Sequence, residues 1–382
     1  MKRGDIVRDV ISINSEFYSL NLFTPGPVRV SPAVKSALLH PEINHREREF
    51  SEILNDVRLR IPKIFTQGVG RYEAVVLSGS GTSAVECALS SSLTENDTVL
   101  VIKNGAFGER IHEILDLHNI PVISLEKNWG EEIFKEDAES IIYSNSDITA
   151  VAMVHHETST GVLNPLYTVG KICREYELKF IVDATSSAGA EKIDMKKYNI
   201  TFATTSANKC IGGVAGLSFV CGLRDDFESL SDIPPRNYYL DLYKHYKYET
   251  ELEQTPYTPA ISIFYPLSVA LDELFEEGIE DRRKRFYNNS LKIREKLKEW
   301  QLEFLVAERL MSSSVTSVVV PQGTDVHKLR KNLKDRGYLV YGGKKNLSDK
   351  MFQIATMGYI FHEDVDLFLE ALHSVLVEMG MI

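Results

Sequence analysis

The sequence predicts an α/β fold built on a doubly wound, mostly parallel central sheet with helices on both faces. Between about residues 75 and 222, short apolar runs alternate with segments of helical character. This alternation is typical of parallel strands that are linked by helices. The chain has 382 residues, which exceeds the size at which one hydrophobic core usually stops growing, so we expect two domains.

The first and larger part of the chain supplies the strands of the central sheet. We predict these strands at residues 74–77, 98–102, 122–125, 150–155, 180–183, 202–205 and 217–221. We predict helices between them at residues 83–91, 107–118, 131–143 and 169–176. Ligands of such sheets bind at the carboxyl ends of the strands, so the residues that follow these runs are the candidates for a site.

The last third of the chain predicts a second, smaller α/β unit. A long helix at 279–300 precedes strands near 314–320, 338–341 and 351–355 and helices near 325–336 and 363–378. We therefore expect a large domain over 25–275 and a small domain over 276–382. We expect the segment 1–24 to pack against the small domain or across a dimer. The segment 225–266 is rich in Tyr and Pro, and it is interpreted as a connection that wraps over a neighbouring surface such as another subunit.

Composition and charge exclude several classes of partner. The net charge of −11 argues against nucleic acid and anionic membranes, and no long basic run offsets it. No apolar stretch reaches the roughly 18 residues of a membrane span, and no secretory leader is apparent, so we expect a cytoplasmic protein. The four cysteines have no disulfide-type or metal-type spacing and are expected to be reduced thiols.

Two charged residues follow apolar strands and predict the chemistry. Asp183 ends one strand, and Lys209 lies in a glycine-rich turn after the next strand. A lysine amine can form a Schiff base with the aldehyde of pyridoxal 5'-phosphate, and a carboxylate can keep the pyridine nitrogen of that cofactor protonated. The pair therefore predicts a pyridoxal phosphate site.

A glycine-rich turn between a strand and a helix is the candidate phosphate site. Ser80, Gly81 and Thr82 stand where free backbone N–H groups and the helix dipole favour an anion. By itself this turn is better explained as a capped helix start. Together with Asp183 and Lys209, phosphate binding becomes the better interpretation.

Two further residues are candidates for contact with the cofactor ring. Phe107 follows a strand and has an aromatic face that could stack on the ring, although a core-packing role is about as plausible from sequence. Thr158 has a hydroxyl at a strand end that could meet the ring hydroxyl. The adjacent His155, His156 and Glu157 do not predict a metal site, because neighbours on an extended segment point to opposite sides.

Taken together, these motifs resemble the class V (fold type I) pyridoxal phosphate-dependent aminotransferases. More narrowly, they resemble the 2-aminoethylphosphonate–pyruvate transaminases, with the alanine–glyoxylate transaminases as near relatives. The resemblance covers nearly the whole chain and rests on five stretches: Leu22-Phe23-Thr24-Pro25-Gly26-Pro27-Val28, His45-Arg46-Glu47-Arg48-Glu49-Phe50, residues 78–82, residues 157–165 and Ser206-Ala207-Asn208-Lys209-Cys210.

The resemblance implies a role for each candidate. Lys209 would form the Schiff base with the cofactor, and Asp183 would pair with its ring nitrogen. Ser80, Gly81 and Thr82 would hold its phosphate. Phe107 would stack on the ring, and Thr158 would form a hydrogen bond with the ring hydroxyl. A threonine from the partner subunit of a homodimer also contacts the phosphate in this family; Thr255 is the first candidate and Thr258 the second. The implied substrate contacts are Gly26, Arg46 and Gln353.

One position departs from the family pattern. Gln353, in Phe352-Gln353-Ile354-Ala355, stands where the family has an arginine that binds the substrate carboxylate. A neutral amide cannot replace a bidentate guanidinium. Either another cation, from among Lys344, Lys345 and Arg46, binds this group, or the substrates differ.

The function implied by the resemblance is transfer of the amino group of 2-aminoethylphosphonate to pyruvate, which gives phosphonoacetaldehyde and L-alanine. The alternatives are a transaminase for another phosphonate- or phosphate-bearing amine, an alanine–glyoxylate-type transaminase, a lyase on the same fold, and a cofactor-binding protein without turnover. A cysteine desulfurase is disfavoured because no cysteine lies in a plausible nucleophile loop.

Overall fold

The computed structural model of the protein describes residues 20–66 and 71–382. Its centre is a seven-stranded sheet with strand order β2-β10-β9-β8-β5-β3-β4. A separate two-stranded sheet is formed by β6 His156–Glu157 and β7 Val162–Leu163. The bounds of the seven central strands are β2 Tyr72–Ser78, β3 Thr98–Lys103, β4 Val122–Glu126, β5 Ile148–Val154, β8 Lys179–Asp183, β9 Phe202–Ser206 and β10 Leu217–Leu223. Each coincides with one of the seven predicted strands to within two residues, so the predicted sheet is confirmed.

The strand β10 runs against both of its neighbours, β2 and β9, whereas the other pairs in the sheet are parallel. It follows β9 through the short connection 207–216 rather than through a helix. A connection of this kind joins antiparallel strands, because a parallel return needs a longer crossover. This short connection carries Lys209.

Apolar side chains on both faces of the sheet are covered. Along β2, Ala74 and Val76 belong to one hydrophobic cluster, and Val75 and Leu77 belong to another, as expected for side chains that alternate between the faces of a strand. The helices of this part of the chain are α1 Pro32–Ser36, α2 Arg48–Arg60, α3 Lys63–Thr66, α4 Gly81–Ser92, α5 Ala106–Leu117, α6 Lys135–Ser144, α7 Leu166–Glu175, α8 Arg224–Glu228, α9 Leu242–Glu251 and α10 Phe264–Glu277.

Two local predictions need correction. The Tyr- and Pro-rich segment is not only a connection, because it contains α9, which buries Leu242 and Tyr246 and is capped by the Asp241 side chain. The predicted helix 131–143 begins later, at Lys135, because the N–H of Phe134 donates to Asp137 Oδ2 (2.9 Å) and so caps the helix there.

The carboxy-terminal part contains a three-stranded antiparallel sheet with order β11-β14-β13. Its elements are α11 Ile279–Glu299, β11 Val315–Val319, α12 Val326–Asp335, β12 Tyr338–Leu339, β13 Tyr341–Gly342, β14 Met351–Ala355 and α13 His362–Glu378. The predicted strand 338–341 is thus two short strands with different partners.

The segment just before residue 25 packs against this carboxy-terminal part. The strand β1, Asn21–Leu22, pairs in parallel with β12, and the Phe23 ring stacks on Phe368 with centroids 4.1 Å apart. Residues 1–19 of the predicted segment 1–24 lie outside the described residues. No helix in the described ranges is long and apolar enough to cross a membrane.

Candidate active site

A cavity of about 220 Å³ opens at the carboxyl ends of the central strands. Eight of the predicted site residues line it: Gly26, Ser80, Gly81, Thr82, Phe107, Thr158, Asp183 and Lys209. These residues come from six separate stretches of sequence, and the fold brings them to one place because the loops that follow neighbouring strands meet at one edge of the sheet.

Lys209 reaches the cavity from the connection between β9 and β10. Its Nζ donates a hydrogen bond to the Pro25 carbonyl oxygen. Gly26 has a φ of +124°, and a Cβ built there would lie 2.5 Å from Lys209 Nζ, so a side chain at position 26 would displace the lysine. Burial lowers the pKa of Lys209 to about 8, and the charge of nearby Lys344 acts in the same direction. A neutral amine is therefore accessible near pH 8, and a neutral amine is the form that acts as a nucleophile or base.

Asp183 ends β8 on the floor of the same cavity. Its Oδ1 accepts the Thr185 N–H at 2.9 Å, which orients the carboxyl group. Burial raises the pKa of Asp183, while the hydrogen bond from the Thr185 N–H and the charge of Arg110 oppose that shift. A buried carboxylate of this kind gains most from a cationic partner inside the cavity.

The start of α4 has the geometry of an anion site. Ser80 is the N-cap residue, but its side chain does not cap the helix, so the capped-turn alternative does not account for its hydroxyl. A Cβ on Gly81 would lie 2.8 Å from Thr185 Cγ2, and glycine is therefore required for this close approach. Arg110 Nη1 donates to Thr82 Oγ1 at 2.6 Å, which adds a positive charge beside N–H groups that a helix leaves free in its first turn.

Phe107 is held in place by a buried glutamate. Glu157 Oε2 accepts the N–H groups of Phe107 and Gly108, both at 3.0 Å, and burial raises the pKa of this carboxyl group. Glu157 therefore fixes the start of α5 and with it the aromatic ring at the cavity. This structural role was not predicted from the sequence.

Three buried polar atoms in the cavity wall have no hydrogen-bond partner among the described residues: His156 Nε2, Thr185 Oγ1 and Ser206 Oγ. Burial lowers the pKa of His156 to about 4, and its Nδ1 lies 3.1 Å from the Ser186 carbonyl oxygen. The neutral ring therefore donates through Nδ1 and leaves Nε2 as an acceptor. Unpaired buried polar atoms are costly. An aromatic cofactor with a ring nitrogen, a hydroxyl and a phosphate fits this set of groups.

The sequence did not predict the other residues that line the cavity, which are Arg110, Val154, His156, Thr185, Ser186, Ser206 and Asn208. Arg110 could have been found, because it lies three positions after Phe107 and shares its helical face. Its guanidinium carbon lies 4.4 Å from the centroid of the Phe107 ring. Within the described ranges, no group of three or more His, Cys, Asp and Glu side chains could hold a metal ion.

Four predicted site residues do not line this cavity. Gln353 is buried, and its Nε2 donates to the Thr158 carbonyl oxygen (2.7 Å) and to Ser317 Oγ (2.9 Å); its amide thus supports the loop that carries Thr158. Arg46 is exposed and donates to the Thr255 carbonyl oxygen at 2.8 Å.

Thr255 and Thr258, which were predicted to act from the partner subunit, differ in accessibility. Thr255 is buried, and its hydroxyl donates to the Tyr257 carbonyl oxygen at 2.7 Å. Thr258 is exposed. Of the two residues, Thr258 is therefore the one that a partner subunit can reach without a local rearrangement of this chain.

The chain is similar to known aminotransferases over most of its length. The family model described as "Aminotransferase class-V" matches residues 33–366. An uncharacterized aminotransferase of Methanocaldococcus jannaschii is 35% identical over 361 residues, which are 94% of this chain and 93% of that protein. A 2-aminoethylphosphonate–pyruvate transaminase of Syntrophobacter fumaroxidans is 33% identical over 363 residues, 94% of this chain and 97% of its own. The crystal structure of an alanine–glyoxylate aminotransferase from Nostoc sp. superimposes with a TM-score of 0.88 at 27% identity, over 94% of this chain and 95% of that one.

Proposed function

The chain belongs to the class V aminotransferase family, and we propose that it transfers the amino group of 2-aminoethylphosphonate to pyruvate. The family makes it a pyridoxal phosphate-dependent aminotransferase. The observation that carries the choice of substrate is the charge at the cavity. Two cations, Arg110 and Lys344, lie against Phe107, and neither forms an ion pair with a carboxylate in the described part of the chain. Arg110 would meet the phosphate of the cofactor, and an amine that bears a phosphonate would supply a second negative charge for Lys344.

The residues of the chain account for the steps of the reaction that a protein has to perform. When bound, pyridoxal phosphate supplies an electron sink for the charge that develops on the substrate carbon. Asp183 would hold a proton on the ring nitrogen, and the start of α4 with Arg110 would hold the phosphate. Lys209 Nζ, whose pKa burial lowers to about 8, would take the proton from the donor carbon and return it as a general acid.

The reaction is tested with a panel of amino donors and acceptors. We expect the holoenzyme to form alanine from 2-aminoethylphosphonate and pyruvate, with kcat/KM at least about tenfold higher than for donors that lack the phosphonate, because a charged hydrogen bond contributes on the order of 1.5–3 kcal/mol. Alanine is measured by chromatography and phosphonoacetaldehyde by a carbonyl reagent. The substrate proposal fails if the purified enzyme, fully loaded with cofactor, makes no alanine from this pair.

A second function, alanine–glyoxylate transamination, is favoured by the close structural match to the Nostoc enzyme. The same panel separates the two functions, because the second one predicts glycine from alanine and glyoxylate as the fastest reaction. Release of ammonia or carbon dioxide from the donor, without an acceptor, would instead indicate a lyase.

We also propose that the enzyme is a homodimer in which Thr258 reaches the phosphate in the partner's site. Thr258→Glu would place a negative charge beside the phosphate and is expected to weaken cofactor binding at least about tenfold, because like charges at an interface repel. When Thr258→Glu protein is mixed with Lys209→Ala protein, each heterodimer has one site that combines an intact Lys209 with an intact Thr258 from the partner subunit. Activity should therefore return. Activity is measured after the two inactive proteins have been mixed and allowed to exchange subunits.

The matched control for this experiment is Thr255→Val, which keeps the size of a buried side chain and removes only its hydroxyl. We expect this variant to bind the cofactor with an affinity within about threefold of that of the wild type. The bond it loses joins Thr255 to Tyr257, so its contribution of about 0.5–1.5 kcal/mol is to the stability of the fold and not to cofactor binding. A Thr258→Glu homodimer with unchanged cofactor affinity, or heterodimers without activity, would contradict a role for Thr258 across the interface.

A further inference from the structure

One of the two cations beside Phe107, Lys344, takes no part in the proton transfer of the proposed reaction. Lys344 follows β13, and its Nζ lies 4.3 Å from the centroid of the Phe107 ring, which lines the cavity. Burial and the charge of Arg110 lower the pKa of Lys344. Arg110, Lys344 and Lys209 are thus close enough for their like charges to act on one another, and such a cluster is unfavourable until an anion enters it.

The backbone near Lys344 is anchored to the part of the chain that holds Lys209. Tyr341 Oη donates to the Gly26 carbonyl oxygen at 2.7 Å, one residue after the Pro25 carbonyl that accepts from Lys209. A Cβ on Gly343 would lie 2.1 Å from the Leu347 carbonyl oxygen, so the chain is tightly folded here. These contacts hold the backbone from which the Lys344 side chain extends.

The other cations considered for the substrate are already engaged. Lys345 forms an ion pair with Glu109. Arg46 donates to the segment 254–256. Arg110 donates to Thr82 in the turn proposed for the phosphate, and Gln353 is neutral and buried against Thr158 and Ser317. Among the described residues near the cavity, Lys344 is therefore the cation that remains to bind an anionic group of the substrate, in addition to the phosphate of the cofactor.

We propose that Lys344 binds the anionic group of the substrate and sets the preference of the enzyme for anionic over neutral amines. The inference rests on the proposed function, because it assumes that the cavity receives an amine with a second, negatively charged group. In a two-step transamination the donor and the oxo acid occupy the same site in turn, so one ammonium group serves the phosphonate of the first and the carboxylate of the second.

The test uses ethylphosphonate, which has the anion of the proposed donor and no amine. Its dissociation constant from the holoenzyme is measured by calorimetry for the wild type, Lys344→Ala, Lys344→Arg and Lys345→Ala. We expect Lys344→Ala to weaken binding about tenfold at low salt, with a smaller loss at high salt because the ion pair is partly exposed. Lys344→Arg should restore most of the affinity. Lys345→Ala, which removes the same charge from the next residue, should stay within about twofold of the wild type.

Donor kinetics give a second and independent measurement. Lys344→Ala is expected to raise KM for 2-aminoethylphosphonate with little change in kcat, because the ammonium group holds the anion equally in the ground state and the transition state. Ethylphosphonate binding that is unchanged in Lys344→Ala, equally weakened in Lys345→Ala or absent from the wild type would overturn the inference. Ethylphosphonate binding that depends on Lys344 in an enzyme that makes no alanine would overturn the proposed donor and leave the anion site standing.

Discussion

Lys209→Ala is expected to lower kcat/KM for transamination at least about a thousandfold. The variant loses the amine that bonds the cofactor and the base that moves the proton, and general acid–base catalysis alone contributes about 10²–10⁴-fold. The side chain lies in the cavity. Burial lowers its pKa to about 8, which means that the protonated amine is unfavourable there and that its removal does not destabilise the fold. The fold should therefore survive. The measurement is the rate of donor conversion in a single turnover, followed by the visible absorbance of the cofactor.

Two controls separate the chemistry of this lysine from its charge. Lys209→Arg retains a positive charge but stays protonated at any accessible pH, so it should be as inactive as the alanine variant. Added small primary amines should restore part of the activity of Lys209→Ala, since they can enter the space that the side chain leaves. A visible absorbance band identical to that of the wild type in Lys209→Ala would mean that another amine bonds the cofactor.

The pH dependence of cofactor capture follows from the same pKa. Protein stripped of its cofactor must present the neutral Lys209 amine to bond the aldehyde. The folded-state pKa is lowered from 10.5 to about 8, so the neutral fraction, and with it the rate of capture, should rise about tenfold per pH unit below pH 8 and level off above it. An unperturbed lysine would continue this rise to about pH 10.

The sequence predicted the central sheet well because its strands are continuous apolar runs separated by helices. It did not predict the direction of β10, since a strand buried on both faces has the same composition in either orientation. The helix α9 was missed because Tyr243, Tyr246 and Tyr248 have only moderate helix propensity. Its formation depends instead on the burial of Leu242 and Tyr246 in the cluster on that face of the sheet.

The site was predictable where residues directly follow strands, as Asp183, Lys209 and the turn at Ser80–Gly81–Thr82 do. It was not predictable where a contact joins distant parts of the chain. The amide of Gln353 meets the carbonyl of Thr158 across 195 residues, and no local pattern indicates such a bond. Likewise, no local pattern indicates that Thr255 is buried and that Thr258, three residues later, is exposed.

Asp183→Asn is expected to lower kcat/KM at least about a hundredfold with little loss of stability. The amide keeps the size of the side chain and can still accept the Thr185 N–H bond through its oxygen. It carries no charge, however, and cannot stabilise a protonated ring nitrogen, and removal of one such electrostatic partner of the transition state typically costs about 10²–10³-fold. The measurement is kcat/KM for the donor half-reaction, together with the midpoint of thermal unfolding of the variant.

The decisive control for Asp183 is a cofactor analogue with a methyl group on the ring nitrogen, which is positively charged whether or not a carboxylate is present. If Asp183 acts by keeping that nitrogen protonated, the analogue should restore much of the activity of Asp183→Asn, while in the wild type it should offer no gain. Burial raises the pKa of Asp183 in the unliganded protein, and a permanent cation nearby should lower it again. If Asp183→Asn is nearly as active as the wild type with the natural cofactor, this carboxylate only shapes the cavity. If the variant is inactive and the analogue does not rescue it, the loss of activity comes from geometry rather than from charge.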